Sequence, residues 1–170
     1  MSAGLQQLNE WSREEAVSEL LKCCGSEGWA NRVTDERPFD DLDSLLRTSD
    51  RIWLALDASD WLEAFGHHPR IGERKAAQAV SDQSRRWSEE EQSGAGTSSE
   101  VAMRELIAAN SEYERRFGFI FIVCATGKST AEMLTLLKER LKNETDKELR
   151  VAAEEQRRIT NLRLKKLLES

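Results

Sequence analysis

The sequence has few of the residues that build disulfide frameworks or metal centres. Its 170 residues include three cysteines, two histidines and two prolines. An odd number of cysteines, with Cys23 directly before Cys24, argues against a disulfide framework and favours a reducing compartment. No His-x3-His or Cys-x2-Cys spacing occurs, and a metal site needs several converging ligands. We therefore predict no metal site.

Long hydrophobic runs are also missing. The longest apolar stretch, residues 119–125, is far shorter than the about 20 residues that a membrane-spanning helix needs. Residues 1–11 lack the basic and then apolar pattern of a secretory signal. The last three residues, 168–170, do not form a peroxisomal address. We therefore expect a cytoplasmic protein without a membrane span.

The charge balance excludes one broad class of partner. The formal net charge is −6, whereas a general nucleic-acid binder needs a basic face. A small anionic substrate remains possible because a single arginine can bind it. With 39% hydrophobic and 33% charged residues, the chain is typical of a soluble helical protein. Its length predicts a single domain over residues 1–170.

Helix-start signals recur along the chain. A Ser or Thr followed three residues later by Glu is a capping box, which marks the beginning of a helix. Such boxes lie at residues 12–15, 88–91, 129–132 and 145–148. Further helices are predicted over residues 73–80 and from about Ser99 to Arg116, and the last helix is predicted to run to about Leu168. The predicted fold is all-α, a single irregular multi-helix domain, because the loops vary too much for an ideal bundle.

The region between residue 29 and the histidines is predicted to contain three helices. Residues 29–39 are interpreted as irregular structure that ends after Arg37-Pro38. One helix is predicted to begin near Asp40 or Asp41, and a second is predicted to be capped by Ser49 or Asp50. A short third helix, capped by Ser59 or Asp60, would then lead to His68.

Residues 117–125 are rich in aromatic and β-branched side chains, which favour a strand. A single strand in a helical chain has no partner for its backbone groups. We therefore predict an extended entry followed by a buried helix.

Both histidines lie in the short segment 65–72. Pro69 fixes its own φ and keeps His68 out of the α region, so the segment cannot continue a helix. The sequence thus puts an imidazole on a stiff corner at the end of a helix. Histidine is the usual general acid or base near neutral pH. Alternatively, His68 is an ordinary polar loop residue. This segment alone does not decide between a catalytic and a loop histidine.

The motif at residues 127–129 also has more than one interpretation. Gly127-Lys128-Ser129 resembles the end of a phosphate-binding loop, but that motif needs glycine where Ile122 stands. We interpret Gly127 as a turn and Ser129 as a helix cap.

Ser88, Glu91 and Gln92 share one face at a helix start. They either cap that helix or bring a carboxylate to a histidine.

Arg163 follows Ile159 by four residues, and the pattern alone favours a surface side chain over a buried clamp for a carboxylate.

Taken together, these segments resemble the decarboxylases of 2-oxo-4-hydroxy-4-carboxy-5-ureidoimidazoline (OHCU), which form (S)-allantoin in urate breakdown. The resemblance covers nearly the whole chain, and several short motifs carry it in the same order. These motifs are Arg37-Pro38-Phe39, His68-Pro69-Arg70-Ile71-Gly72, Ser88 to Gln92 with Gly94-Ala95-Gly96, Asn110, Tyr113-Glu114, Arg116-Phe117-Gly118-Phe119 with Phe121, and Ile159 to Leu164.

The resemblance implies an all-α enzyme without a cofactor, commonly a homodimer, and it assigns roles to individual residues. His68 would be catalytic, with Glu91 assisting it, and Arg163 would hold the substrate. The other residues that it implies at the substrate are Pro69, Ser88, Gln92, Phe121, Ile122, Val123, Cys124 and Ala125. Many relatives have proline where Ile120 stands, and others read His-Pro-Asp-Leu-Ala-Gly in the histidine motif.

Two other functions fit parts of the sequence. Capped helices, apolar stripes and five tryptophans would also suit a helical interaction module that has no enzymatic activity. A lyase or hydrolase of another ureido compound on the same scaffold is the second alternative. The interaction module would leave His68, Glu91 and Arg163 scattered over the surface, whereas an enzyme would gather them around one cleft.

Overall fold

The computed structural model describes residues 2–71, 86–87 and 100–169. Within these ranges the chain forms eight α-helices and no strand, which confirms the predicted all-α fold. The helices are α1 (Ala3–Glu10), α2 (Arg13–Cys23), α3 (Glu27–Asp35), α4 (Leu42–Ala55), α5 (Ala58–Gly66), α6 (Glu100–Phe117), α7 (Thr130–Arg140) and α8 (Thr145–Glu169). The predicted helix at residues 73–80 and the capping box at residues 88–91 lie outside the described residues.

Two predicted capping boxes are confirmed. Ser12 and Glu15 exchange side-chain and backbone hydrogen bonds at the start of α2, and Ser129 and Glu132 do the same at the start of α7. Each box satisfies two backbone N–H groups that a helix start would otherwise leave without partners. Gly127 lies in a turn at a φ of 75°, so the turn and cap interpretation of this motif is also confirmed.

The prediction of irregular structure over residues 29–39 is wrong for most of that range. Helix α3 covers residues 27–35 because Ser26 caps it by accepting a hydrogen bond from the Trp29 N–H. Trp29 and Val33, four residues apart, are fully buried on one face of the helix. The irregular part is confined to residues 36–41, where the Arg37-Pro38 peptide bond is cis.

The two helices predicted around Ser49 are one helix. Asp41 caps α4, and the helix continues through Ser49, which is buried together with Leu45 and Ile52. Ser49 and Asp50 resembled the start of a new helix, but the buried face of α4 continues across them. Helix α5 begins one residue before the predicted caps, because the Asp57 carboxylate accepts the backbone N–H groups of residues 59 and 60.

The last helix is confirmed, but its predicted capping box is wrong. Thr145 is the first helical residue of α8 rather than its cap. The Glu148 carboxylate is fully buried and is bound by side chains from outside this helix. At residues 145–148 the Ser/Thr-x-x-Glu spacing therefore does not mark a capping box, because its glutamate is a buried ion-pair partner.

The buried helix predicted after Phe117 does not form. Residues 120–125 are neither helix nor strand, and Gly118 ends α6 at a φ of 80°. Side chains bind the backbone groups of this stretch instead, as described below. We refer to residues 119–125 as the aromatic segment.

The chain divides into two compact units, which we describe separately. The first contains residues 1–64 with 157–170, and the second contains residues 65–156. In the first unit, α3 packs on α2 and on α4. The Arg37 guanidinium donates to the carbonyl groups of Leu8 and Trp11 at 2.7 and 2.8 Å. These bonds satisfy carbonyls at the end of α1 that have no partner within the helix.

In the second unit, α6 packs on α7, and a buried ion pair joins α7 to α8. Arg140 Nε donates to Glu148 Oε1 at 2.6 Å, and the two side chains are 10% and 0% exposed. Tyr113 of α6 donates its hydroxyl to the same carboxylate oxygen, and Asn143 donates to Oε2 at 2.8 Å. Every part of this buried pair therefore has hydrogen-bond partners, as a buried charge requires.

No helix among the described residues is long and apolar enough to cross a membrane.

We expect the Glu148→Gln variant to lower the free energy of unfolding by about 3–5 kcal/mol, because it leaves the Arg140 guanidinium buried without a counter-charge. Urea denaturation measures this loss. Asp35→Asn is the control: it breaks an ion pair with Arg13 in which both side chains are more than half exposed, and it should cost less than about 1 kcal/mol. Equal losses in the two variants would contradict the expectation.

Candidate functional site

The residues that the sequence assigned to a site fall into three groups. His68, Pro69 and residues 121–125 belong to the second unit. Arg163 belongs to the first unit. Ser88, Glu91 and Gln92 lie outside the described residues, so their assignment to the site remains a prediction.

His68 is fixed at the corner that Pro69 predicted. Helix α5 ends at Gly66, and the His68 N–H donates to the Phe65 carbonyl at 3.2 Å, which closes the last turn. The half-buried imidazole forms a hydrogen bond of 2.6 Å between its Nε2 atom and Gln156 Oε1. Gln156 is fully buried on α8.

Arg70 attaches the other side of this corner to α6. Its Nε and Nη2 atoms donate to the two carboxylate oxygens of Glu114 at 2.9 and 2.6 Å. This bidentate geometry is the strongest form of an arginine–carboxylate pair. The hydrogen bonds from Arg70 lower the pKa of Glu114 from its usual value. The corner that carries His68 is therefore held by α6 on one side and by α8 on the other.

The backbone of the aromatic segment is bound by side chains. Arg140 Nη1 donates to the Ile122 carbonyl at 2.6 Å. Glu155 Oε2 accepts the Cys124 N–H at 2.7 Å, and Lys128 Nζ donates to the Cys124 carbonyl at 2.8 Å. These bonds replace the hydrogen bonds of a helix or a sheet, so the segment needs no regular secondary structure within a helical unit.

Aromatic packing fixes the same segment through its side chains. The Tyr113 ring contacts the rings of Phe117, Phe119 and Phe121 at centroid distances of 4.6–5.8 Å. The Arg140 guanidinium lies 4.5 Å from the centre of the Phe121 ring. Burial raises the pKa of Tyr113, so its hydroxyl remains a neutral hydrogen-bond donor to Glu148.

His68 and the aromatic segment are bound by adjacent residues of one helix. Glu155 binds the Cys124 N–H, and Gln156, the next residue, binds the His68 imidazole. Consecutive Cα atoms are about 3.8 Å apart, so both partners lie against one turn of α8. In the second unit a titratable imidazole and an irregular stretch of backbone are thus both bound by residues 155–156 of α8. Such groups can exchange protons and bind carbonyl or anionic oxygens.

Arg163 is 4% exposed, so the interpretation of this residue as a surface side chain is wrong. Within the first unit its positive charge acts on the buried thiols of Cys23 and Cys24. Burial raises the pKa of both thiols, that of Cys24 to about 12, and the arginine opposes part of this rise. Arg163 follows the buried Ile159 by four residues, so both side chains lie on the same buried face of α8.

The residues that hold the site were not predicted from the sequence. Glu155, Gln156 and Arg140 carried no motif, because polar residues within a helix are usually solvated. The signal that was available is periodicity: Gln156 lies three and four residues after the buried Ala153 and Ala152. A glutamine on the buried face must find a polar partner, and that partner is His68.

No group of three potential metal ligands occurs within the ranges that the structure describes.

Comparisons with known proteins point to one family. The sequence matches the family model of the OHCU decarboxylases over residues 9–165. The uric acid degradation bifunctional protein TTL of Arabidopsis thaliana is 41% identical over 154 residues, which make up 91% of this chain. The 2-oxo-4-hydroxy-4-carboxy-5-ureidoimidazoline decarboxylase of Mus musculus is 31% identical, and the match covers 82% of this chain and 78% of that protein.

A solved structure matches as well. A crystal structure of an OHCU decarboxylase, determined in the presence of (S)-allantoin, has a TM-score of 0.76 to this chain at 40% sequence identity. The match covers 89% of this chain and 98% of that one. This chain spans 48% of the Arabidopsis protein and 32% of each of two uric acid degradation bifunctional proteins from Bacillus.

We expect a thiol reagent such as DTNB to modify one cysteine of the native protein at pH 8 and three after unfolding. Cys23 and Cys24 are buried with raised pKa values, whereas Cys124 is partly exposed. The release of the coloured thiolate counts the modified groups. In the Cys124→Ser control the native count should fall to none, and rapid modification of three thiols in the folded wild type would contradict the expectation.

Proposed function

Since the chain belongs to the OHCU decarboxylase family, we propose that it decarboxylates 2-oxo-4-hydroxy-4-carboxy-5-ureidoimidazoline to (S)-allantoin in urate breakdown. The observation that carries this proposal is the family match over residues 9–165, which includes both His68 and Arg163. The half-buried imidazole of His68 and the aromatic segment, which adjacent residues of α8 bind, support it.

The proposed reaction follows from the substrate's own bonds. The bond between the ring carbon and the carboxylate breaks, CO2 leaves, and the electron pair passes into the adjacent C=N bond of the ring. A solvent proton neutralises the ring nitrogen. The hydroxyl proton is transferred to the neighbouring ring carbon, which becomes the stereocentre, while the hydroxyl carbon becomes a carbonyl. Because the ring accepts the electron pair, the reaction needs no further electron acceptor.

In this proposal His68 moves the proton. The neutral imidazole takes it from the substrate hydroxyl, and the imidazolium returns it to one face of the ring, which sets the S configuration. Acid–base assistance of this kind is typically worth about 10²–10⁴-fold in rate. Glu91 would stabilise the imidazolium, since a nearby carboxylate favours the charged form of histidine.

Arg163 and the aromatic segment bind the substrate in this proposal. A buried guanidinium offers a planar pair of donors, which suits a carboxylate or a carbonyl oxygen. Backbone groups of residues 121–125 would bind the ureido or ring carbonyl groups. Pro69, Ser88 and Gln92 would complete the surroundings of the substrate.

The proposal extends to the assembly and location of the protein. We propose a homodimer in the cytoplasm, without nucleic-acid or membrane partners. The net charge of −6 and the free cysteines support this location and this lack of nucleic acid.

We expect His68→Asn to lower kcat by about 10²–10⁴-fold, because asparagine cannot take and return a proton. The measurement is a circular-dichroism time course on freshly generated OHCU, compared with the decay of the substrate in buffer. His67→Asn is the matched control, since it changes the adjacent exposed histidine and should keep full activity. A folded His68→Asn enzyme with unchanged turnover would remove the proposed role.

If the wild type were no faster than buffer, the proposed substrate would be wrong. The same assay with other ureido compounds would then test the second alternative from the sequence, an enzyme acting on a different substrate.

We expect Arg163→Lys to raise KM by at least about tenfold, because lysine lacks the planar pair of donors. Initial rates over a range of substrate concentrations separate KM from kcat. Arg158→Lys is the control, because Arg158 is exposed on the same helix and should not affect KM. An unchanged KM in Arg163→Lys would show that this arginine does not bind the substrate.

A further inference from the structure

The contact between His68 and Gln156 defines the orientation of the imidazole. The Nε2 atom lies 2.6 Å from Gln156 Oε1, at the short end of protein hydrogen bonds. Gln156 has no exposed surface, and its backbone is part of a long helix. A buried side chain on a helix has little freedom to move, so it provides a rigid partner for the imidazole.

The chemistry of the two atoms assigns the proton. The amide oxygen of Gln156 faces Nε2 and can only accept a hydrogen bond, so this orientation of the amide puts the hydrogen on Nε2. In the neutral imidazole the lone pair is then on Nδ1. We propose that Gln156 is the positioning residue of His68: it holds the Nε2–H group and leaves Nδ1 as the nitrogen that takes and returns the substrate proton. This inference rests on the proposed function.

A neutral partner suits a residue that changes charge during a reaction. The Gln156 oxygen accepts a hydrogen bond from Nε2–H in the neutral imidazole and in the imidazolium alike. The ring therefore keeps one orientation while Nδ1 gains and loses its proton. A carboxylate at this position would raise the pKa of His68, so at acidic pH less of the residue would be in the neutral form that can take a proton.

The neighbouring residue links this orientation to the aromatic segment. Glu155 Oε2 accepts the Cys124 N–H at 2.7 Å, next to the residue that holds His68. The same helical turn thus fixes both the imidazole and the backbone that we propose binds the substrate. A change at Gln156 is expected to disturb the direction of the ring while this backbone anchor remains.

The first test reads the tautomer without any substrate. Nitrogen-15 NMR distinguishes a protonated from an unprotonated imidazole nitrogen, and the chain has two histidines to assign. For wild type at alkaline pH we expect His68 to carry its proton on Nε2 alone. In Gln156→Leu, which has a similar size but no acceptor, we expect the two nitrogen shifts to move toward each other as both tautomers become populated. The exposed His67 serves as the reference within each spectrum.

The second test uses the pH profile of decarboxylation. Gln156→Glu keeps an acceptor but adds a charge, so it should raise the pKa of His68 and move the acid limb of kcat/KM to higher pH by about one unit or more. Gln156→Leu should lower kcat by about 10- to 100-fold with little change in KM, an effect similar to losing the partner that orients a histidine ligand. A merely structural role would lower the stability of both variants without the selective loss of kcat in Gln156→Leu.

The outcomes separate this inference from the proposed function. A wild-type His68 with its proton on Nδ1, or His68 shifts that are the same in Gln156→Leu, would overturn the positioning role even in an active enzyme. An unmoved acid limb in Gln156→Glu would also overturn it. A wild type without decarboxylase activity would overturn the proposed function and the catalytic part of this inference, while NMR would still decide whether Gln156 fixes the tautomer.

Discussion

The second unit depends on one constraint: an irregular stretch of backbone among helices must find its hydrogen-bond partners among side chains. The aromatic segment meets this requirement through three charged residues, Arg140, Glu155 and Lys128. Arg140 can take part because Glu148 balances its charge inside the unit. A buried ion pair of this kind is weak evidence for stability by itself, since burying the charges is costly. Here it also sets the path of the backbone.

Local sequence signals predicted the helices well where each signal had one meaning. Ser12 and Ser129 form the expected capping boxes. The signals failed where burial decided between two uses of the same residue. Ser49 continues a buried face instead of starting a helix, and Glu148 binds Arg140 of the preceding helix instead of its own cap. Such choices depend on how helices pack against each other, which a local capping motif does not contain.

Different features of the sequence predicted different parts of the candidate site. Pro69 and the helix before it predicted the corner of His68 from local backbone rules alone. The catalytic role of His68 came from the family resemblance and remains a proposal. Gln156 was missed because a glutamine in a helix carries no motif, although its position on the buried face required a polar partner. For Arg163 the local pattern favoured the surface, whereas the resemblance implied a substrate contact and the structure buries the side chain.

Among the residues that the structure describes, the two glycines with positive φ lie on either side of the aromatic segment and have one consequence in common. At Gly118 and Gly127 an added Cβ atom would meet nothing within 4 Å, so neither position is limited by space. Their φ values of 80° and 75° are unfavourable for L-residues because of local backbone sterics. The restriction therefore concerns handedness and not size. A D-alanine suits the torsion at either position, whereas an L-alanine is strained although its Cβ atom would have room.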